Sequence, residues 1–194
     1  YVCATGRSFR NATSRQLLTH GEEAGRVKAS FFRQRVRHEI EISLTPRRRS
    51  VRVDERSIRR ASKLLELVNV VAFFPDDLRI AKGSPQERRH FLDRTVANYQ
   101  PKFVDAAIAY KKVLQSRNSL LRDKRSIDSI MLESFDEQLL NYGELIYRSR
   151  LETLQTLAPQ AQKRFEQIMR QNQALEFQLS SGLSTDGVIH PSEF

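Results

Sequence analysis

Two periodicities divide the chain. From residue 25 to 53 apolar and polar positions alternate. Val27, Ala29 and Phe31 interleave with Arg26, Lys28 and Ser30 in "GRVKASFFR". Val36, Ile40, Ile42 and Leu44 then interleave with Arg35, Arg37, Glu39, Glu41 and Ser43. A period of two predicts half-buried strands. "TPRRRS" (45 to 50) reads as the next turn, and "VRVDERSI" as a further strand with Asp54 and Glu55 at a hairpin tip. Together these predict an antiparallel meander with one arginine-rich face.

Helical spacing takes over in "ERSIRRASKLLELV", where Ile58, Ala61, Leu64, Leu65 and Val68 share a side. "VNVVAFF", nearly continuous in apolar residues and bounded by Pro75, predicts a fully buried strand. From Pro75 the chain reads as helical, with Asp76 and Asp77 in a first turn where carboxylates favour the positive helix end. Gly83 suits a helix end, and Ser84, Pro85 and Glu87 form a capping-box signature for a new start. That start would hold Arg88 and Arg89 in its first turns, with Phe91 and Leu92 on its buried side. Residues 101 to 122 and about 132 to 157 predict two amphipathic helices. The charged turn "RDKRSIDS" between them predicts an antiparallel hairpin. A further helix from Pro159 to about Ala174 and a short strand in "LEFQLSS" follow, and "GLSTDGVIHPSEF" has no core pattern.

Charge changes the picture more than composition does. The 194 residues carry a formal net charge of +10. Residues 1 to 94 hold 21 Lys and Arg against 11 Asp and Glu, whereas residues 95 to 194 hold 12 of each. An arginine-rich half points to phosphate or carboxylate, onto which the planar guanidinium forks in bidentate fashion. Scattered arginines that merely solubilise a sheet are the plainer alternative. No apolar run reaches the length of a membrane-spanning helix, and no secretory signal pattern opens the sequence, so a soluble, cytoplasmic protein is expected. Cys3 is the single cysteine, and no Cys/His cluster has zinc-site spacing, so neither an internal disulfide nor a structural metal is expected.

Catalytic motifs are absent from the sequence. The seven glycines never fall at the spacing of a phosphate loop, and there is no G-x-G-x-x-G, H-E-x-x-H or G-x-S-x-G. His20, His38, His90 and His190 are dispersed, and "SSGLS" (180 to 184) reads as a loop of small residues.

Four segments in order carry a resemblance. "ATGRSFR" (4 to 10), "VNVVAFFPDDLRIAKGSPQERRHFLD" (68 to 93), "KKVLQSRNSLL" (111 to 121) and "FDEQLLNYGELIYRSR" (135 to 150) are similar to the motifs of the RecF family. RecF proteins are recombination-mediator ATPases of bacterial DNA replication and repair. The resemblance implies an α/β fold, α+β in this stretch, belonging to an ABC/SMC-like P-loop ATPase head. It implies part of the ATPase lobe over 1 to 82, a helical lobe over 83 to 180, and a loop or truncated end over 181 to 194. The family's phosphate loop, signature motif and acidic catalytic strand have no counterpart here. An internal fragment, inactive alone and without a cofactor of its own, is therefore expected.

For the parent, the resemblance implies weak ATPase activity with ATP and Mg, a homodimer closed around nucleotide, and DNA binding at gaps or junctions. It also implies RecR-type and recombinase partners and a part in the SOS response. The candidate DNA-binding residues are Arg7, Arg10, Arg47, Arg48, Arg49, Arg88 and Arg89. Arg7 and Arg10 could meet nucleotide or DNA, and Arg88 and Arg89 could instead pair with Asp76, Asp77 or Asp93. The glutamine loop of ABC-type enzymes would fall near 73 to 86, making Gln86, Asp76 and Asp77 candidates for a metal or water contact at the nucleotide. The competing class is a helical protein-interaction module with no DNA contact of its own.

Overall fold

The computed structural model describes residues 1–6, 8, 12–122, 128–169, 173–179 and 188–189, with Asp76, Arg79, Val188 and Ile189 described in backbone only. The chain forms two compact units, Tyr1–Lys82 and Gly83–Phe194.

The first unit is built on a four-stranded antiparallel meander of β1 (Gly25–Arg33), β2 (Val36–Leu44), β3 (Arg49–Val53) and β4 (Arg56–Ile58). Its register sets Val27 opposite Ile42, Ala29 opposite Ile40, and Ile42 opposite Val51. Because side chains alternate across a strand, this places every apolar position of the period-two pattern on one face. Two hairpins close through two-residue loops, Gln34–Arg35 and Asp54–Glu55, and all four residues have positive φ between 47° and 65°. That is the twist two-residue hairpins favour. At the second tip Asp54 Oδ2 lies 2.6 Å from His38 Nδ1, and its Oδ1 accepts from the Glu39 backbone N–H at 2.9 Å.

The inner face buries Ile40, Ile42, Leu44 and Val53. Cys3 of α1 (Val2–Thr5) and Leu64 of α2 (Ala61–Leu67) close over it. Burial pushes the Cys3 thiol above its ordinary pKa.

Three expectations are corrected in this unit. The outer face is not an arginine field: Lys28 Nζ sits 2.8 Å from Glu39 and 3.0 Å from Glu41, and Arg26 reaches Glu41 at 3.6 Å. Cross-strand register puts Glu41 opposite both Lys28 and Arg52, so the face is a mixed-charge lattice. The helix read from Ile58 begins only at Ala61, since Ile58 pairs with Val51 in the sheet. The buried strand read in "VNVVAFF" is irregular, with Val71 92 % and Phe73 72 % exposed. A strand needs neighbours for its backbone groups, and among the described residues the sheet ends at β4. Phe74 packs its ring edge-on to Tyr1 at 5.9 Å.

Asp54 yields a pH prediction. The His38 contact, followed by the Glu39 N–H, holds its carboxyl below the usual value. A carboxylate with a lowered folded pKa stabilises the fold above its unfolded pKa, near 3.9, and ceases to do so as pH falls through the folded value. The stability gap between the wild-type and Asp54→Asn chains, read by urea unfolding, should be constant near neutrality and shrink below about pH 4. A gap that does not vary with pH would show that the carboxylate is not held in this way.

After Pro75–Leu78, a 3-10 turn, and α3 (Arg79–Lys82), the second unit opens with α4 (Pro85–Tyr99). The capping box is formed: the Glu87 N–H donates to Ser84 Oγ, and the Ser84 N–H donates to Glu87 Oε2 at 2.7 Å. The hairpin comprises α5 (Lys102–Arg122) and α6 (Ser129–Met169). Val96, Phe103, Ala106 and Ile146 form its core, with Leu92, Tyr110 and Tyr142 packed around them. Asp93 takes Arg150 in two bonds of 2.8 and 3.0 Å. Asp136 takes Arg117 in two more, which hold its carboxyl below the ordinary range.

Here too the pattern reading needs correction. Phe91 is 39 % exposed while Leu92 faces the core. Instead of a break near 157 and a new helix at Pro159, α6 runs through the proline. A mid-helix proline removes one backbone donor, but Thr153 and Ala158 are nearly fully buried on this stretch, and that packing holds the helix line. The strand read in "LEFQLSS" narrows to β5 (Phe177–Gln178), paired with β6 (Val188–Ile189). The charged turn at 123–127 and "SSGLS" lie outside the described residues.

Candidate nucleic-acid interface

The β2–β3 connection is the most prominent basic feature of the first unit. Leu44 pairs with Arg49 across the last rung. Beyond it the Thr45 N–H donates to the Arg48 carbonyl at 2.8 Å, and the Arg48 N–H donates to Thr45 Oγ1 at 3.0 Å. Pro46 and Arg47 are left at the tip, where proline pre-sets the turn. Arg47 and Arg48 are exposed and form no ion pair among the described residues.

Arg49 behaves differently, though it is the third member of the same run. Odd register turns it to the inner face, where Nη1 donates to the Gly6 carbonyl and Nη2 to Ser14 Oγ at 3.4 Å. Its Nε is buried without a hydrogen-bond partner. Arg49 is thus an internal tie rather than part of the exposed set.

Behind the turn lies a cavity of about 520 Å³ between β3, β4 and the start of α2. Arg48 and Arg49 line it together with Arg59 and Arg60, both exposed, and no Asp or Glu is among the described lining residues. The sequence pattern absorbed Arg59 and Arg60 into an amphipathic helix. The available signal was two consecutive arginines before the first buried helical residue, Ser62.

In the second unit, Arg88 Nη1 donates to the Gly83 carbonyl at 2.8 Å and closes the turn that precedes its own helix. Asp93, a suggested partner for Arg88 and Arg89, is taken by Arg150. Arg89 is exposed with no ion pair among the described residues. Arg7 and Arg10 lie outside the described residues. Of the nucleotide candidates, Asp77 is buried and accepts from the Phe74 N–H at 2.9 Å, so it serves as a local cap. Gln86 is exposed on the first turn of α4, and the Asp76 side chain is not described. No group of three or more His, Cys, Asp or Glu among the described residues could hold a metal ion. None of the described helices is long and apolar enough to cross a membrane.

The chain is a mixed α/β portion of an ABC/SMC-like ATPase fold, as its match to solved RecF structures shows. The solved structure described as the recombination mediator protein RecF-ATPrS in the RecFOR pathway matches with a TM-score of 0.80 at 26 % identity, over 91 % of this chain and 49 % of that one. The RecF-ATP structure of the same pathway matches with a TM-score of 0.81 at 24 % identity, over 95 % and 51 %. In sequence the chain is a RecF homologue over nearly all of its length. It is 36 % identical over 170 residues to the DNA replication and repair protein RecF of Myxococcus xanthus, covering 88 % of this chain and 45 % of that protein. The RecF of Clostridium novyi is 32 % identical over 178 residues, covering 91 % and 49 %. That of Oceanobacillus iheyensis is 31 % identical over 186 residues, covering 94 % and 50 %. No family model matches. The chain spans about half the length of these curated relatives.

Proposed function

We propose that this chain is the DNA-facing part of a cytoplasmic recombination-mediator ATPase that acts in DNA replication, repair and the SOS response. The observation that carries the reading is the exposed Arg47–Arg48 turn, with no ion pair among the described residues, in a RecF homologue whose sheet cations Arg26 and Lys28 face glutamates. Binding is to backbone phosphate and independent of base sequence, because the basic groups sit on a turn and no recognition helix carries them. Arg89, in the second unit, is a separate candidate for phosphate contact, and Arg7 and Arg10 meet either DNA or nucleotide.

ATP with Mg belongs to the whole protein, in a dimer that closes around nucleotide and prefers gapped or junction DNA. RecR-type and recombinase partners follow from the same parentage. The names of the matched structures, RecF-ATP and RecF-ATPrS, support the nucleotide. Alone, these residues hydrolyse no ATP, and Gln86 and Asp76 remain candidates for a metal or water contact at that site. A second reading, a protein-docking helical module, draws on the exposed apolar side chains of α6, among them Ile130, Leu140 and Leu145.

Binding of the 194-residue chain to duplex, single-stranded and junction DNA across a salt series, with and without ATP, tests the reading. Each neutralised duplex phosphate contributes about −0.9 to the slope of log K against log salt. Arg47→Ala with Arg48→Ala should reduce the slope by up to about 2 and leave the fold intact. Binding with an unchanged slope would remove this turn from the interface. No binding at low salt would favour the docking module.

A further inference from the structure

Among the described residues, four arginines and no Asp or Glu line one cavity in the first unit. Two cations elsewhere on this sheet are neutralised: Arg26 and Lys28 by Glu41, and Lys28 again by Glu39. Arg48, Arg49, Arg59 and Arg60 are not, although they share the cavity of about 520 Å³. Clustered like charges repel, and an anion placed between them turns that repulsion into attraction. Fixed geometry adds to the charge. Arg49 is anchored by the Gly6 carbonyl and Ser14, and its buried Nε lacks an acceptor. Ser50 and Ser57 are also among the cavity's lining residues. Guanidinium forks and hydroxyls are the donors that tetrahedral phosphate oxygens accept, and the volume admits a phosphate with the sugar attached to it.

We propose that this cavity is a phosphate-binding site that seats a backbone phosphate of nucleic acid. Arg48, Arg59 and Arg60 are its movable arms and Arg49 its fixed wall. The choice of nucleic acid as the source of the phosphate rests on the reading given under Proposed function; the phosphate chemistry does not. Arg47, at the turn tip, is not among the lining residues, and Arg59 and Arg60 lie outside the turn, so mutation of Arg59 and Arg60 probes the cavity apart from the turn, with Arg48 shared by both. It also adds to the interface two residues, Arg59 and Arg60, that lie beyond the arginine run.

The test uses the 194-residue chain, labelled duplex DNA for anisotropy, and pyrophosphate and inorganic phosphate for calorimetry and competition. The variants are Arg59→Gln with Arg60→Gln, and, as a control in the β1–β2 region away from the cavity, Arg35→Gln with Arg37→Gln. Circular dichroism confirms that each folds. Both variants remove two positive charges, so a pure net-charge effect would weaken both equally. The cavity variant is expected to weaken duplex binding at least about tenfold and to lower the salt slope by about 0.9 for each phosphate lost. Pyrophosphate should compete for the wild-type chain, and the control should stay within about twofold of it. Unchanged DNA and pyrophosphate binding in the cavity variant overturns the site and leaves the DNA reading standing. Pyrophosphate binding that needs Arg59 and Arg60, in a chain that binds no DNA, upholds the phosphate site and overturns the nucleic-acid source. Binding to none of the probes overturns both.

Discussion

Phe103→Ala is expected to destabilise the chain by about 3–5 kcal/mol, the usual cost of emptying a buried phenylalanine site. Phe103 is 3 % exposed in the first turn of α5, in one cluster with Val96, Ala106 and Ile146. These residues come from all three long helices of the second unit, so the cavity would open where the helices converge and backbone shifts could close it only in part. Natural domains are stable by about 5–15 kcal/mol, and this loss is a large fraction of that. Chemical unfolding followed by circular dichroism should show the midpoint moving sharply toward lower denaturant. Leu121→Ala, near the far end of α5 and 38 % exposed, should cost well under half as much, because little apolar area is uncovered. Equal costs at the two positions would mean that the hairpin is not packed about Phe103.

Local chemistry with a stereotyped geometry was legible before any coordinates. The capping box at Ser84 and Glu87 announces itself because serine and glutamate three apart satisfy each other's backbone donors. The strands β1 and β2 follow from alternation over nine residues each. Failures occurred where the deciding information is non-local. "VNVVAFF" has strand composition, but composition does not supply the neighbouring strand. Pro159 signals a helix break, and only the burial of Thr153 and Ala158 overrides it. Arg47, Arg48 and Arg49 read as equivalents in a run, yet two-fold alternation and the turn send Arg49 inward to Gly6 and leave Arg47 at the tip. The outer sheet face looked basic because arginines are numerous, but the register sets Glu39 and Glu41 among them. Arg48, Arg49, Arg59 and Arg60, with no ion pair among the described residues, gather where β3, β4 and α2 meet.

Ile42→Ala and Glu41→Ala, adjacent in sequence, are expected to separate by several kcal/mol. Ile42 is 0 % exposed, and register sets it between Val27 and Val51 at the centre of the inner face. Truncating it should cost about 2–5 kcal/mol, from lost transfer energy and an unfilled cavity. Glu41 is on the outer face, its side chain 17 % exposed but its partners Lys28 and Arg26 49 % and 63 % exposed; ion pairs with such solvated cations are worth about 0–1 kcal/mol. The contrast also reaches the phosphate site. The Ile42 side chain supports β3, and β3 carries Arg49 and Ser50 in the cavity wall. Ile42→Ala should therefore weaken pyrophosphate binding even at temperatures where the chain remains folded, whereas Glu41→Ala, which removes a competing negative charge from the sheet, should leave it unchanged or slightly stronger. Comparable destabilisation by the two substitutions would mean that the alternation does not define the core face, and the inward course of Arg49 would then lose its basis.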